Sequence, residues 1–302
     1  MMTKEQKHGI KTVEKAIDSS RYRLDKYSPH EYTQANMNVT TKIAIEAVEG
    51  AVALLKRNID RRHNETRKRG GTFHAVNTEC DYLSEEIITK KILRAYPGHI
   101  ILSEETSSSV NYINEKNLWV VDPIDGTKGF AAGLLTYSVS LSYLYGQQLV
   151  SSALYLASTN EILWAETGKG AYIGMRRLHV DDRPAKRAML ALDPSNKKRE
   201  VAMRELAPDL SLGVRFLQMT SGGAGPLGLI ARGNLQGLVF AYPSIWDYSA
   251  GVHLVLEAGG LVTDFQGKPY QLFSRAGIVA CTRSVQPYIL RYTKKVAKHF
   301  LS

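Results

Sequence analysis

Two aspartates three positions apart, Asp122 and Asp125, follow a run of apolar residues that predicts a buried strand. Pro123 restricts the backbone between them, Gly126 permits a tight turn, and Thr127 can begin a helix. This arrangement can bring both carboxylates to one cation and leave the N–H groups near Gly126 and Thr127 facing an anion. Taken alone, the same pattern also suits an ordinary loop in which an aspartate caps a helix.

Further carboxylates stand near the ends of other predicted elements. Glu104 and Glu105 follow a short predicted strand, Asp247 stands at the start of a predicted helix, and Asp81 stands just ahead of another. Each has a simple structural explanation, since adjacent acids are common in solvated turns and aspartate is a good helix N-cap. Their chemical meaning depends on whether the fold brings them together.

Several carboxylates in one place would suit a hard divalent cation. Magnesium prefers oxygen ligands and retains several of its waters. Two metal ions about 3.5–4 Å apart can generate a hydroxide and hold the oxygens of a phosphate group. The residue types therefore indicate metal-assisted phosphate chemistry as one hypothesis.

In the first half of the chain, hydrophobic periodicity predicts the elements that carry these acids. Apolar residues at helical spacing predict helices over 40–58 and 82–95, the second ended by Pro97-Gly98. The inward side chains of the second helix are expected to be Leu83, Ile87, Ile88 and Ile92. Buried strands are predicted over 99–102 and 118–121.

In the second half the period changes to that of strands. An antiparallel meander is predicted over 137–145, 149–155 and 161–165, with a turn at Gly146. Helices are expected over 222–233, 248–258 and 284–299. This mixture predicts a layered α+β architecture. We expect an N-terminal extension over 1–38, an α+β subdomain over 39–145 and a C-terminal α/β subdomain over 146–302.

Composition limits the class of protein. The 302 residues are 44% hydrophobic, enough for a large core, and the formal net charge is +10. Basic residues concentrate at 56–69 and 291–298 without the aromatic residues of a base-stacking surface, which favours solvated faces that help attract an anionic substrate. Two distant cysteines, and no apolar run of about 18 residues, predict a cytoplasmic protein without a membrane span.

Three long segments together resemble the inositol monophosphatase-like superfamily. They are LWVVDPIDGTKGF at 118–130, IWDYSAGVHLVLEAGG at 245–260 and DYLSEEIITKKILRAYPGHIILSEE at 81–105. They occur in that family's order, and the resemblance covers about residues 39–302. It implies an α/β/α/β/α sandwich and a magnesium-dependent, typically lithium-sensitive phosphatase that uses two or three Mg²⁺ ions and metal-activated water.

The resemblance also implies a role for each matching residue. The metal-ligating positions are Glu104, Asp122, the backbone carbonyl of Ile124, Asp125 and Asp247. Asp81 and Thr127 match the pair that orients and deprotonates the attacking water, and Glu104 is expected to take part in catalysis as well. The phosphate and the rest of the substrate are expected to contact Gly126, Thr127, Lys128, Ser221 and Gly222.

The substrate is less clear from the residues. Gly129 stands where inositol phosphatases usually have asparagine, so DGTKG looks more like the 3′(2′),5′-bisphosphate nucleotidases; some histidinol phosphatases share the lysine. The stretch 239–245 lacks the acid that inositol phosphatases place there, and its Phe240 and Tyr242 are expected in the core rather than on a substrate ring. Nucleoside bisphosphate ranks first, inositol or sugar monophosphate second and histidinol phosphate third.

The expected partner is therefore a small-molecule phosphate ester. No membrane partner is expected, and a homodimer is predicted because the family is often dimeric. A non-catalytic nucleic-acid-binding protein that reuses the fold is the alternative from another class, and nucleic acid is not expected as a partner of the enzyme.

Overall fold

The computed structural model describes residues 37–59, 66–67, 76–106, 112, 114–194, 199–274 and 276–300. Nearly all of the predicted N-terminal extension, and residues 60–65 and 68–69 of the first basic stretch, lie outside the described residues. In the part of the chain described, no helix is long and apolar enough to cross a membrane.

A seven-stranded sheet carries the first set of acidic motifs. Its spatial order is β3-β4-β5-β6-β7-β8-β9, with β3 and β4 parallel and every other neighbouring pair antiparallel. The strands are β3 Ile100–Ser103, β4 Asn117–Asp125, β5 Ser138–Tyr145, β6 Gln148–Leu156, β7 Glu161–Glu166, β8 Gly170–Ile173 and β9 Arg176–Arg177. The predicted meander is confirmed in β5 to β7. Two short strands, β1 Thr66–Arg67 and β2 Val76–Asn77, pair separately.

A five-stranded mixed sheet forms the second half. Its order is β11-β10-β12-β14-β13, and β10 is parallel to both of its neighbours. The strands are β10 Met189–Asp193, β11 Phe216–Met219, β12 Gly237–Phe240, β13 Leu261–Asp264 and β14 Ile278–Cys281. Parallel neighbours bring the ends of β10 and β11 to one edge, next to the loop that precedes the next helix.

Helices cover both faces of both sheets. The α-helices of the described residues are α1 Val39–Asn58, α2 Glu79–Ala95, α3 Thr127–Ala131, α4 Arg199–Val201, α5 Ala207–Leu212, α6 Ala224–Ala231, α7 Ile245–Glu257 and α8 Gln286–Val296. A π-helix, Ala202–Leu206, joins α4 to α5, and 3₁₀ turns occupy Ala185–Arg187 and Ala297–His299.

Successive side chains of a strand point to opposite faces of its sheet, and each face packs against a different layer of helices. Trp119 and Val121 of β4 face α1 and α2, whereas Leu118 and Val120 face α6 and α7 between the two sheets. On the far side of the second sheet, Val239 packs with residues of α5 and α8. The order is therefore α/β/α/β/α, which confirms the predicted layered sandwich.

Two helices begin earlier than the sequence suggested. Helix α2 begins at Glu79 because Thr78 is its N-cap, and Asp81 completes a capping box instead of being the cap. Helix α7 begins at Ile245, with Ser244 as its N-cap, and Asp247 completes its capping box as Asp81 does in α2. Leu83, predicted to face inward, is 44% exposed, whereas Ile88 and Ile92 are fully buried. The proposed boundary near residue 145 falls in the β5–β6 hairpin, and the division into subdomains stays a prediction.

Candidate active site

Three aspartates from two distant parts of the chain lie together. Asp122 and Asp125 come from the end of β4 and Asp247 from the first turn of α7, and a carboxylate oxygen of each lies within 4.8 Å of the others. Asp122 and Asp125 are buried, and Asp247 is half-buried. Pro123 has no N–H to give to the sheet, and the pairing of β4 with β5 is irregular between the two aspartates.

Short-range hydrogen bonds fix two of these carboxylates. Oδ1 of Asp122 accepts from the backbone N–H of Ile124 at 3.0 Å. Oδ2 of Asp247 accepts from the N–H of Ser244 at 2.7 Å, as part of the capping box. A carboxylate has about four acceptor sites on its two oxygens, so a hydrogen bond of this kind is compatible with binding a cation as well.

Asp125 is held by Ser138 of β5 and by a glycine-rich loop that includes Gly223 and Gly225. Its oxygens accept from Ser138 Oγ at 2.8 Å, from Gly223 N at 3.1 Å and from Gly225 N at 3.2 Å. A Cβ on Gly222 would lie 2.5 Å from Oδ1 of Asp125. The loop therefore contains glycine at 222 because its backbone approaches the carboxylate, and this is the position the sequence assigned to the substrate.

The electrostatics of the cluster favour a cation. Burial raises the pKa of Asp125 to about 7, and the negative charges of Asp193 and Glu104 add to the rise. Burial likewise raises the pKa of Asp247 well above its usual range, with Glu104 and Asp125 adding to it. Like charges this close disfavour one another as anions, and a divalent cation among them reverses that preference. An oxygen-only donor set of this kind fits magnesium.

A carboxylate and a hydroxyl meet beside this cluster. Thr127 Oγ1 lies 3.0 Å from Oδ1 of Asp81 and 3.0 Å from the carbonyl oxygen of Ile124, so its single proton can serve either acceptor. Oδ2 of Asp81 accepts from the N–H and the hydroxyl of Thr78. Burial raises the pKa of Asp81 to about 6, with Glu105 adding to the rise. The pair can orient a molecule at Thr127 and receive a proton from it.

The remaining predicted residues surround these groups. Glu104 is half-buried in the turn after β3, and its N–H lies 3.3 Å from the carbonyl of Val121. It is not one of the three acids whose oxygens lie within 4.8 Å of one another. Its negative charge nevertheless raises the pKa values of Asp125 and Asp247. Gly126 adopts φ 89°, where a Cβ would meet the carbonyl oxygen of Thr136 at 2.9 Å. Lys128 is half-buried and Ser221 is exposed.

Sequence reasoning missed two acids. Asp193 is buried at the end of β10, and its negative charge acts on Asp125, Asp247 and Lys128. It ends an apolar run, MLALD, as Asp122 does, so that signal was present in the sequence. Glu85 is also buried, but it stands among charged residues of a helix, where nothing in the sequence distinguishes it.

Comparison with known proteins identifies the family. The profile of the Inositol monophosphatase family matches residues 36–298. A fructose-1,6-bisphosphatase/inositol-1-monophosphatase of Aquifex aeolicus is 27% identical over 86% of this chain and 97% of its own length. The Nus factor SuhB of Pasteurella multocida is 31% identical over 83% of this chain and 94% of its own.

Solved structures agree with this result. An IMPase of Thermotoga maritima superposes with a TM-score of 0.75 at 25% identity, covering 86% of this chain and 98% of that one. The extragenic suppressor protein SuhB of Bartonella henselae gives a TM-score of 0.77 at 25% identity, covering 85% and 99%. The chain therefore belongs to the inositol monophosphatase family, whose members are metal-dependent phosphatases.

Proposed function

We propose that this protein is a magnesium-dependent phosphomonoesterase that hydrolyses a small sugar or polyol phosphate. The observation that carries the proposal is the meeting of the Asp122, Asp125 and Asp247 carboxylates within 4.8 Å, beside the Asp81–Thr127 pair. A homodimer and inhibition by lithium stay predictions from the family resemblance, and cytoplasmic location stays a prediction from the cysteine content and the lack of a long apolar run.

Five groups are proposed to hold the metal ions. They are the side chains of Glu104, Asp122, Asp125 and Asp247 and the carbonyl oxygen of Ile124. When bound, two or three Mg²⁺ ions would supply Lewis acidity, which activates water and neutralises charge on the phosphate. The carboxylates of this cluster repel one another, and bound Mg²⁺ ions would offset that repulsion. The cluster therefore fits a divalent cation.

The residues of the chain then position the reactants. Thr127 accepts a hydrogen bond from the attacking water and orients it, while Asp81 takes the proton relayed by the threonine hydroxyl. The amides of Gly126 and Thr127 are proposed to hold oxygens of the reacting phosphate, and the Lys128 ammonium is proposed to meet a second phosphate of the substrate where one is present. In-line displacement needs positioning more than covalent chemistry, and no protein nucleophile is required.

For the substrate, the structure weakens the sequence argument for a nucleotide. A Cβ on Gly129 would lie 2.2 Å from Thr136 Oγ1, so packing alone explains that glycine. Phe240 is buried in the core, where a Cβ on Gly223 would overlap its ring. The name of the Aquifex relative instead favours fructose 1,6-bisphosphate and inositol 1-phosphate. Adenosine 3′,5′-bisphosphate is the second choice and histidinol phosphate the third.

The test is phosphate release from these four esters, each with magnesium and with a chelator. We expect one ester to be hydrolysed far faster than the others, only with magnesium, and Asp122→Asn to lower turnover by several orders of magnitude while the protein still folds. Asp181→Asn is the matched control, because Asp181 forms a surface ion pair with Arg183. Near-wild-type turnover by Asp122→Asn would refute the metal assignment.

A second candidate function rests on relatives named Nus factor SuhB, one of them 31% identical, and on the net charge of +10. It is a nucleic-acid-binding role that does not depend on catalysis. RNA binding that falls steeply with added salt and persists in Asp122→Asn would support it. Absence of such binding would leave the phosphatase as the one proposal.

A further inference from the structure

Glu85 is a buried acid that the proposed chemistry does not use. It lies on α2 one turn after Asp81, and its relative exposure is 6%. Its carboxylate accepts hydrogen bonds from Ser103 Oγ, from Glu105 N at 3.3 Å and from Thr106 Oγ1 at 2.7 Å. All three donors belong to the end of β3 and the turn that follows it.

That turn carries Glu104. The three residues from 104 to 106 lie beyond the last residue of β3, and the N–H of Glu104 donates to the carbonyl of Val121 at 3.3 Å. Groups that hold the backbone of this turn also set the direction in which the Glu104 side chain leaves it. The Glu85 carboxylate holds the turn on both sides of Glu104, because its donor Ser103 precedes Glu104 and its donor Thr106 follows it.

Helix α2 also reaches the second acidic segment. Ser84 Oγ donates to the carbonyl oxygen of Pro123 at 3.2 Å, between Asp122 and Ile124. Adjacent side chains of one helix thus contact the two segments that approach the cluster from β3 and from β4. Because α2 is fixed on the sheet by Ile88 and Ile92, it can set the distance between those segments.

We propose that Glu85 is a positioning residue, whose carboxylate holds the turn from 104 to 106 so that Glu104 points at the three-aspartate cluster. This rests on the proposed function, in which Glu104 and the aspartates bind magnesium. A group that orients a metal ligand typically changes metal affinity about 10–100-fold when removed. If Glu85 only joined α2 to the sheet, its removal would lower stability and leave metal affinity unchanged.

The experiment measures Mn²⁺ binding to the metal-free protein by the EPR signal of free Mn²⁺, alongside thermal unfolding without metal. The variants are Glu85→Ala, Glu85→Gln, Thr106→Val and, as a reference, Asp122→Asn. Glu86→Ala is the matched control, because Glu86 is the next residue, is exposed and pairs with Lys90. We expect the Kd for Mn²⁺ to rise about tenfold or more in Glu85→Ala, less in Glu85→Gln, which keeps one acceptor oxygen, and not in Glu86→Ala.

The outcomes separate the two proposals. If wild type binds no Mn²⁺, or Asp122→Asn binds it equally well, the proposed metal function fails. If Asp122→Asn loses affinity but Glu85→Ala stays within twofold of wild type, the positioning role of Glu85 is refuted alone. Should Glu85→Ala fail to fold, Thr106→Val decides, because it removes one hydroxyl from an exposed residue: weaker binding supports the proposal and wild-type binding overturns it.

Discussion

The hydroxyl of Thr127 lies 3.0 Å from Oδ1 of Asp81, a residue 46 positions earlier in the chain. Thr127 is the first residue of α3, and Asp81 lies in the first turn of α2. The capping box of α2 occupies Oδ2 of Asp81, which leaves Oδ1 for the threonine. Local helix capping thus aims one oxygen of the acid at the hydroxyl.

Replacing Thr127 by alanine should lower kcat about 10²–10⁴-fold, the usual range for loss of a proton-transfer group, with a smaller change in KM. Thr127→Ser keeps the hydroxyl and should retain most of the activity. Asp81→Asn should resemble Thr127→Ala, and the double variant should be no worse than either, because the two residues act as one unit. Steady-state kinetics with magnesium in excess would check this, and full additivity of the two losses would contradict it.

Gly222→Ala should disturb the three-aspartate cluster through a steric effect alone. The new Cβ would lie 2.5 Å from Oδ1 of Asp125, so the loop or the carboxylate has to move. Overpacking of this kind costs about 1–3 kcal/mol of stability, and displacement of Asp125 should raise the magnesium concentration needed for half-maximal activity.

Gly98→Ala is the control for this substitution, because a Cβ at Gly98 meets nothing within 4 Å. It should leave both thermal stability and magnesium dependence as in wild type. Equal behaviour of the two alanine variants would show that the contact between Gly222 and Asp125 is not important for either property.

The sequence predicts those parts of the site that lie within one continuous motif, and it does not predict contacts between residues far apart in the chain. The motif from Asp122 to Thr127 predicts both a strand end and a helix start, and the structure has both. The contact of Gly222 with Asp125 spans almost 100 residues and has no local pattern, so the sequence could assign that glycine only by family resemblance. Glu85 is invisible for a different reason: a glutamate on a charged helix is normally exposed, and only the tertiary packing of α2 against the β3 turn buries it.

Helix boundaries were misplaced for a related reason. Asp81 and Asp247 look like N-caps, yet each is the third residue of a helix whose cap is a serine or threonine three positions earlier. Both patterns put an acid near the helix start, and only the hydrogen bonds distinguish them. Leu83 was predicted inward from its spacing, but the buried face of α2 is shared by the polar groups of Asp81, Ser84 and Glu85.

Lys128 should matter more for a doubly phosphorylated substrate than for a single phosphate. Burial lowers the pKa of Lys128 and the positive charge of Arg199 lowers it further, whereas the negative charge of Asp193 opposes the shift. A second phosphate near Lys128 would relieve its repulsion by Arg199. Lys128→Gln should raise KM for fructose 1,6-bisphosphate about tenfold, the loss expected for one hydrogen bond to a charged group, with less effect on inositol 1-phosphate. Lys186→Gln, at an exposed position, is the control. Equal losses on both esters would instead place Lys128 on the reacting phosphate.

The stability of the fold should fall in acid because of His253, a buried residue of α7. Its Nδ1 lies 3.0 Å from Ser152 Oγ and its Nε2 lies 3.0 Å from Thr167 Oγ1. Burial lowers the pKa of His253 to about 4, although the charge of Glu166 opposes the shift. In the unfolded chain the pKa of histidine is about 6.5.

Because the folded pKa lies below the unfolded one, the contribution of neutral His253 to stability is fully present above pH 6.5. It is lost as the pH falls toward 4, since the unfolded chain binds a proton that the folded protein does not. The loss from this residue should be on the order of 3 kcal/mol across that window. Urea unfolding of wild type and His253→Gln from pH 7 to pH 4 would measure it. The variant should be less stable at pH 7 but lose less stability in acid, because acids elsewhere titrate alike in both proteins and cancel in the difference; parallel curves would show that His253 is not the group that titrates.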